Sequence, residues 1–336
     1  MEWVRPLSGV SLVVPFYHMV SDAYVPHVSN LYRFRSVAEF KADLEFFTRH
    51  FEPVALTDIV NALNGARRLP RFCFHLTFDD GFREVHDIVA PILQRAGVPA
   101  TFFLTTAFLN GGGLAHHNEI SLLLDRIHSQ PSLSNATTAS MESFLPAPKE
   151  SASTLRDRLL SITYLEKTRV RSLAEILEVD IDQYVRENRP HLTSEQVAAL
   201  IRQGIAIGAH SHDHPLYADL SLAEQLRQTR MSTDLLDQQF GFRPKAFAFP
   251  HNDDGVEKEF FATVFSSRLL DVSFGTSGFV AHYHPRNIER ATMEKTTAPA
   301  SQIVTRQFTR AAYHRLRSRG KAEGPAIPKT APGSRY

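Results

Sequence analysis

Two strand-like runs, far apart in the chain, each end in side chains that can bind a metal or move a proton. Any fold of this sequence has to bring those two ends together before they can act. Phe72, Phe74 and Leu76 alternate at the period of a half-buried strand, and the run ends in Asp79-Asp80-Gly81. The apolar run Ile205-Ala206-Ile207 leads into His210-Ser211-His212-Asp213-His214. Read as a helical turn, the four-residue spacing puts the imidazoles of His210 and His214 on one face, close enough to share an ion. One added carboxylate makes three ligands with a position left open for water, the catalytic rather than the structural form of a zinc site. The chain reads as a metal-dependent hydrolase.

Around these runs, strand and helix patterns alternate. Ser11 to Phe16 reads as a strand with Tyr17-His18 at its end, and Ser36 with Glu39 forms a capping box for a helix striped by Phe40, Leu44 and Phe47. Pro53-Val54-Ala55-Leu56 reads as a short strand before a helix that stops at Asn64-Gly65. Val85 to Leu93 forms a helix closed by Gly97, and Val98 to Leu104 a strand. Later, Thr193 with Gln196 and Ser221 with Glu224 make further capping boxes, Ala246 to Phe249 reads as a strand, and Val272-Ser273-Phe274 and Ile288 to Thr292 are weaker strands. Such alternation points to a parallel sheet with helical crossovers. There are no internal repeats.

Asn110-Gly111-Gly112-Gly113 interrupts the rhythm. Residues 107–190 then read as a helical insertion covering one end of the sheet, with a low-order stretch from Ser129 to Thr138 inside it. One catalytic unit is expected over 1–304. The tail 305–336 is basic through Arg306, Arg310, His314, Arg315, Arg317, Arg319 and Lys321, and its Pro-rich end is expected to be disordered.

A net charge of only +1 gives no reason to expect a nucleic-acid partner. The single Cys73 allows no intrachain disulfide and reads as a buried, reduced thiol. The start of the chain lacks a secretory pattern, and no apolar run reaches the length of a spanning helix. A cytoplasmic protein is expected, with peripheral membrane contact open to the basic tail. Oligomeric state is not legible.

The segment Thr77-Phe78-Asp79-Asp80-Gly81, taken with His210-Ser211-His212-Asp213-His214, resembles the polysaccharide deacetylase family, also called carbohydrate esterase family 4 or the NodB-homology domain. The likeness extends to the strand, helix and strand from Leu76 to Thr105, and to Phe247-Ala248-Phe249-Pro250 as a later strand-end motif. It covers roughly two thirds of the chain, with the insertion and the tail outside it. It implies a distorted (β/α) barrel of no more than seven full units, here carrying a helical insertion. It also implies that Asp79 is the general base and that Asp80, His210 and His214 hold a divalent metal. Zinc is the expected ion, although the same donors accept cobalt, nickel or manganese. One branch of the family begins with a strand ending in Tyr-His, matched by Phe16-Tyr17-His18-Met19-Val20, and implies that His18 protonates the leaving amine.

Amide hydrolysis needs an activated water, a polarised carbonyl and a proton for the amine, and this set covers all three. The chain departs from the family around Pro250, where the usual Arg and Tyr are missing. The backbone N–H of His251 can stand in for one as an oxyanion donor, and Arg290 for the other beside Asp79. The Trp of another family motif is also missing, the only one being Trp3. His212 and Asp213 should project differently from the ligands, either supporting them from behind or simply solvated, His86 reads as packing or solvated, and His116, His117, His282 and His284 read as surface residues. The expected activity is removal of N-acetyl groups from amino sugars of a glycan or glycoconjugate. A deformylase or other C–N hydrolase acting on a lipid-linked sugar, and a non-catalytic glycan-binding relative, are the alternatives.

Overall fold

The alternating apolar runs become short strands in the computed structural model, which describes residues 3–130, 132–148, 150 and 153–319. In chain order they are β1 (Leu12–Val13), β2 (Pro15–Tyr17), β3 (Glu52–Pro53), β4 (Cys73–Phe74), β5 (Leu76–Phe78), β6 (Ala100–Leu104), β7 (Ala206–Ala209), β8 (Ala246–Ala248), β9 (Val272–Gly275), β10 (Asn287–Glu289) and β11 (Ala291–Thr292). Eight of them form one parallel sheet in the order β10-β9-β8-β7-β6-β5-β2-β11. This is a nearly closed, distorted (β/α) barrel. β9, β10 and β11 follow one another without intervening helices, which is why the barrel has fewer than eight full units.

The two long apolar runs each split in two. β1 and β4 pair with β3 in a small parallel sheet, and the same two chain segments then pair again within the barrel as β2 and β5. His75 sits at the second break. It is fully buried, its Nδ1–H donates to the Val54 carbonyl at 2.8 Å, and its Nε2 lies 2.8 Å from Thr101 Oγ1. Both ring nitrogens are therefore satisfied where the chain changes sheets. The short strand expected at Pro53–Leu56 is shifted to Glu52–Pro53, because Leu56 already begins the helix Leu56–Leu63 with Ala55 as its cap.

The main core fills the barrel and the helix layer around it, with Phe78, Phe102, Phe247 and Val264 all buried. β10 lies at one edge of the sheet and β11 at the other, yet only Arg290 separates them in sequence. The backbone itself crosses the gap between the two edges.

Residues 107–190 lie between β6 and β7 and pack largely through their own apolar cluster, including Ile120, Leu123, Met141, Leu159 and Val185, joined by Leu31. The low-order stretch expected from Ser129 to Thr138 is only partly so. Asn135–Glu142 is a helix, because Ser134 accepts the Thr137 N–H as an N-cap at 3.0 Å and Met141 anchors the far end in the cluster.

The last helix, Ala300–Arg319, crosses the boundary drawn at residue 304. Its Val304, Phe308 and Ala311 are buried in the main core, so the first part of the basic tail belongs to the packed fold. The remainder of that tail, 320–336, lies outside the described residues. Among the described residues, no helix is long and apolar enough to cross a membrane.

Candidate active site

Parallel strands all end at one face of a barrel, so residues placed just after them converge there. His18 follows β2, Asp79 and Asp80 follow β5, His210 follows β7, His251 comes after β8, and Glu294 after β11. The structure brings the expected site residues Asp79, Asp80, His210, His214, His18, Arg290 and His251 to this rim.

Asp80 takes a left-handed conformation at φ +70°, followed by Gly81 at φ +75°. A Cβ on Gly81 would come within 2.9 Å of the Leu104 side chain, so the turn that aims Asp80 requires glycine there. Asp80 Oδ1 lies 3.3 Å from His210 Nε2 and 3.0 Å from His214 Nε2, buried and without a well-formed hydrogen bond. His210 explains why. Its Nδ1 lies 2.9 Å from the Ala248 carbonyl, which can only accept, so Nδ1 carries the proton. In the neutral ring, Nε2 then presents a lone pair to the Asp80 carboxylate. Two imidazole nitrogens facing one buried carboxylate oxygen form a donor arrangement that could hold a cation, and the bond to Ala248 is the outer support that fixes His210 in a ligating tautomer.

His210 and His214 do not share a helical turn. Residues 210–216 form a loop in which Ser211 and His214 have φ of +62° and +65°. The loop is held by the Ser211 hydroxyl, which accepts the His214 N–H at 3.0 Å. The four-residue spacing works through a tight loop rather than through helical periodicity. His212 and Asp213 point elsewhere. His212 Nδ1 lies 3.1 Å from Thr106 Oγ1. Asp213 accepts from Tyr164 at 2.7 Å, Lys167 at 2.9 Å and Gln228 at 2.7 Å, tying the insertion to this loop.

Asp79 is gripped by Arg290. Nη1 donates to Oδ1 at 2.7 Å, Nη2 donates to Oδ2 at 2.8 Å, and both residues are buried. Burial alone would raise the Asp79 pKa, but the Arg290 guanidinium, with help from His210, outweighs it and holds the carboxyl below its ordinary value. Arg290 is itself fixed by Nε–H donation to the Gly275 carbonyl at 3.1 Å, and it lies over the Phe16 ring at 4.6 Å.

His18 has a partner that sequence reading missed. Its Nδ1 lies 2.6 Å from Glu294 Oε2, and the same carboxylate accepts the backbone N–H groups of His18 and Met19 at 2.9 and 3.0 Å. Burial pushes the imidazole pKa down, but Glu294 more than offsets this and raises it to about 9. The available signal was a Glu just beyond the weak strand Ile288 to Thr292, the same strand-end placement that singled out Asp79. Tyr32 was also missed. Its ring packs on His18 at 5.1 Å between centroids, and its hydroxyl is buried without a hydrogen-bond partner.

His116 and His117 are not surface residues. The insertion folds them at the start of the helix His116–His128, where both are buried, and the His117 ring lies 4.8 Å from that of His214. His282 and His284 are half-buried against aromatic rings, His284 stacking on Phe265 at 4.4 Å. In each case the burial comes from elements distant in sequence, which local polarity does not report.

Barrel and rim together define a distorted β/α barrel that gathers carboxylates and imidazoles at its strand ends. A family model for polysaccharide deacetylase matches residues 66–140 and 160–259, just over half of the chain, and the chain belongs to that family. Solved structures share the fold at low identity. The deacetylase PplD of Streptococcus pyogenes, in complex with acetate, is 14% identical with a TM-score of 0.57, over 89% of this chain and 99% of that one. IcaB from Ammonifex degensii is 15% identical with a TM-score of 0.54, over 89% and 97%. A de-N-acetylase from Aggregatibacter actinomycetemcomitans is 15% identical with a TM-score of 0.53, over 88% and 99%. No curated protein matches the sequence.

Proposed function

We propose that the protein removes N-acetyl groups from amino sugars of a glycan, with a divalent ion held by Asp80, His210 and His214. The observation that carries this reading is the convergence of two Nε2 atoms on the unsatisfied Asp80 Oδ1, with His210 locked in a ligating tautomer. Two imidazoles and a carboxylate suit zinc, and oxygen-seeking calcium or magnesium would choose other donors. When bound, the ion supplies Lewis acidity to the acyl carbonyl and acidifies water.

The chain's own groups do the proton work. Asp79 is ionised, and each of its oxygens keeps a lone pair beyond its bond to Arg290, so it can accept the proton of the attacking water. His18 is kept protonated near neutral pH by Glu294 and is partly open to solvent. In that state it can give a proton to the departing amine. The buried, unpartnered Tyr32 hydroxyl and the His251 backbone N–H can help position the acyl oxygen. Family membership supports an acetylated polysaccharide as the substrate class, and PplD is described with acetate, the product this reaction releases.

The test is a screen of N-acetylated sugars and oligosaccharides against purified protein, chelated and then reloaded with Zn2+, reading acetate and formate separately. Zinc-dependent acetate release is expected. Formate release alone would make the protein a deformylase, and no turnover by the reloaded protein would overturn the catalytic reading.

A further inference from the structure

We propose that His117 and His251 form, with His214, a second transition-metal position beside the first, and that an ion there ties the helical insertion to the barrel rim. The inference rests on the metal reading of the Asp80, His210 and His214 set. Three separate segments supply the donors: His117 from the insertion helix His116–His128, His214 from the loop after β7, and His251 from the loop after β8. One ring nitrogen from each lies within 4.8 Å of the other two. The three rings are mutual neighbours, with centroids 4.8 Å apart for His117 and His214, 4.7 Å for His214 and His251, and 5.2 Å for His117 and His251.

His214 supplies an independent observation. Its Nε2 lies 3.0 Å from Asp80 Oδ1, while its other nitrogen, Nδ1, is buried without a hydrogen-bond partner. His210 differs, because its Nδ1 is committed to the Ala248 carbonyl. His210 is therefore built as a terminal ligand. His214 has a nitrogen to spare and can bridge two ions, releasing its ring proton to solvent as the second ion arrives. Three imidazoles are a known zinc donor set and also suit copper and nickel, whereas calcium and magnesium require oxygen donors.

A third cluster, Asp253, His282 and Glu289, brings candidate donors equally close but is already satisfied. Asn287 donates to both carboxylates, the backbone N–H groups of Thr276 and Ser277 donate to one each, and His282 Nδ1 accepts the His284 N–H. With Nδ1 used as an acceptor, the proton of a neutral His282 sits on the nitrogen that faces Asp253, which suits a hydrogen bond rather than an ion.

The experiment is a zinc count on the full chain, stripped with chelator, reloaded with Zn2+ and desalted, for the wild type, His117→Gln and His251→Gln. Two ions per chain are expected for the wild type and one for each variant, with the folded state of each checked by circular dichroism. One ion in the wild type would overturn this inference and leave the first site intact. No bound ion would overturn both metal readings. Two ions retained in either variant would place the second ion elsewhere and overturn the assignment. Amide exchange at residues 116–120 should slow when the second ion binds, and unchanged exchange would overturn the tether.

Discussion

Arg290 and Asp79 are 211 residues apart, yet their side chains meet in a buried two-pronged pair at 2.7 and 2.8 Å, at the seam where the last strands cross from one sheet edge to the other. The pair links closure of the barrel to the charge of the proposed base. A guanidinium matches a carboxylate with both arms, which a lysine ammonium cannot do.

Removing one partner leaves an uncompensated buried charge. Arg290→Met should therefore destabilise the protein by about 3–5 kcal/mol and raise the Asp79 pKa. The double variant Asp79→Asn/Arg290→Met should recover part of that loss, since no charge is left unpaired. Urea unfolding of the wild type, Arg290→Met, Asp79→Asn and the double variant reads the coupling, and additive losses would show that the pair is not energetically connected.

Replacing a metal ligand should act on occupancy. His210→Ala and Asp80→Asn should each lose the zinc of this first site and turnover, with the fold retained, because the barrel core packs without the ion. Elemental analysis beside circular dichroism checks this, and full zinc content in either variant would reassign the ligands.

Replacing the base should act on rate rather than on zinc occupancy, beside the stability cost of leaving Arg290 unpaired. Asp79→Asn should keep its zinc and lose turnover by roughly 10²–10⁴-fold, the usual scale for proton transfer by a positioned group. Zinc loss in Asp79→Asn together with retention in Asp80→Asn would exchange the two roles.

The pH dependence follows from the pair of His18 and Glu294. In the proposed reaction a protonated His18 donates to the amine, so activity should fall as pH rises through about 9. Glu294→Gln removes the charge that raises this pKa and should move that limb toward neutrality. The sign for stability is the same. The folded-state pKa lies above the ordinary 6.5, so the pair's stabilisation is complete below about 6.5 and is lost as pH climbs through about 9. An alkaline limb unmoved in Glu294→Gln, followed in rate and in thermal midpoint, would separate His18 from the proton step.

His18→Ala should lower amide hydrolysis by roughly 10²–10⁴-fold and affect an activated acetate ester far less, since such a leaving group needs little protonation. Equal losses on the two substrates, measured at constant zinc content, would give His18 a structural role.

Local chemistry made much of this protein legible from its residues. The capping boxes at Ser36 and Thr193 form as read, because a cap and its third residue answer each other within one turn. At Ser221 only half of the box forms. The Ser221 hydroxyl accepts the Glu224 N–H, but the Glu224 carboxylate turns to Arg227. The strand ends at Asp79 and His210 were visible because alternation stops where the polar motif begins, and parallel strands then send both to the same rim.

What tertiary structure alone decided lies in pairs that leave no local trace. Glu294 meets His18 across 276 residues, and Arg290 meets Asp79 only because the sheet nearly closes. His117 looks like a polar loop residue until the insertion folds its helix start against the loop bearing His214. Even the histidine spacing misled. Four residues fit a helical turn, but two left-handed residues bend the segment into a loop, and whether such φ values are held depends on contacts from the rest of the fold. Sequence sets what each segment prefers by itself. Which distant side chains share a buried space, and so which charges must pair, is set by packing across the whole chain.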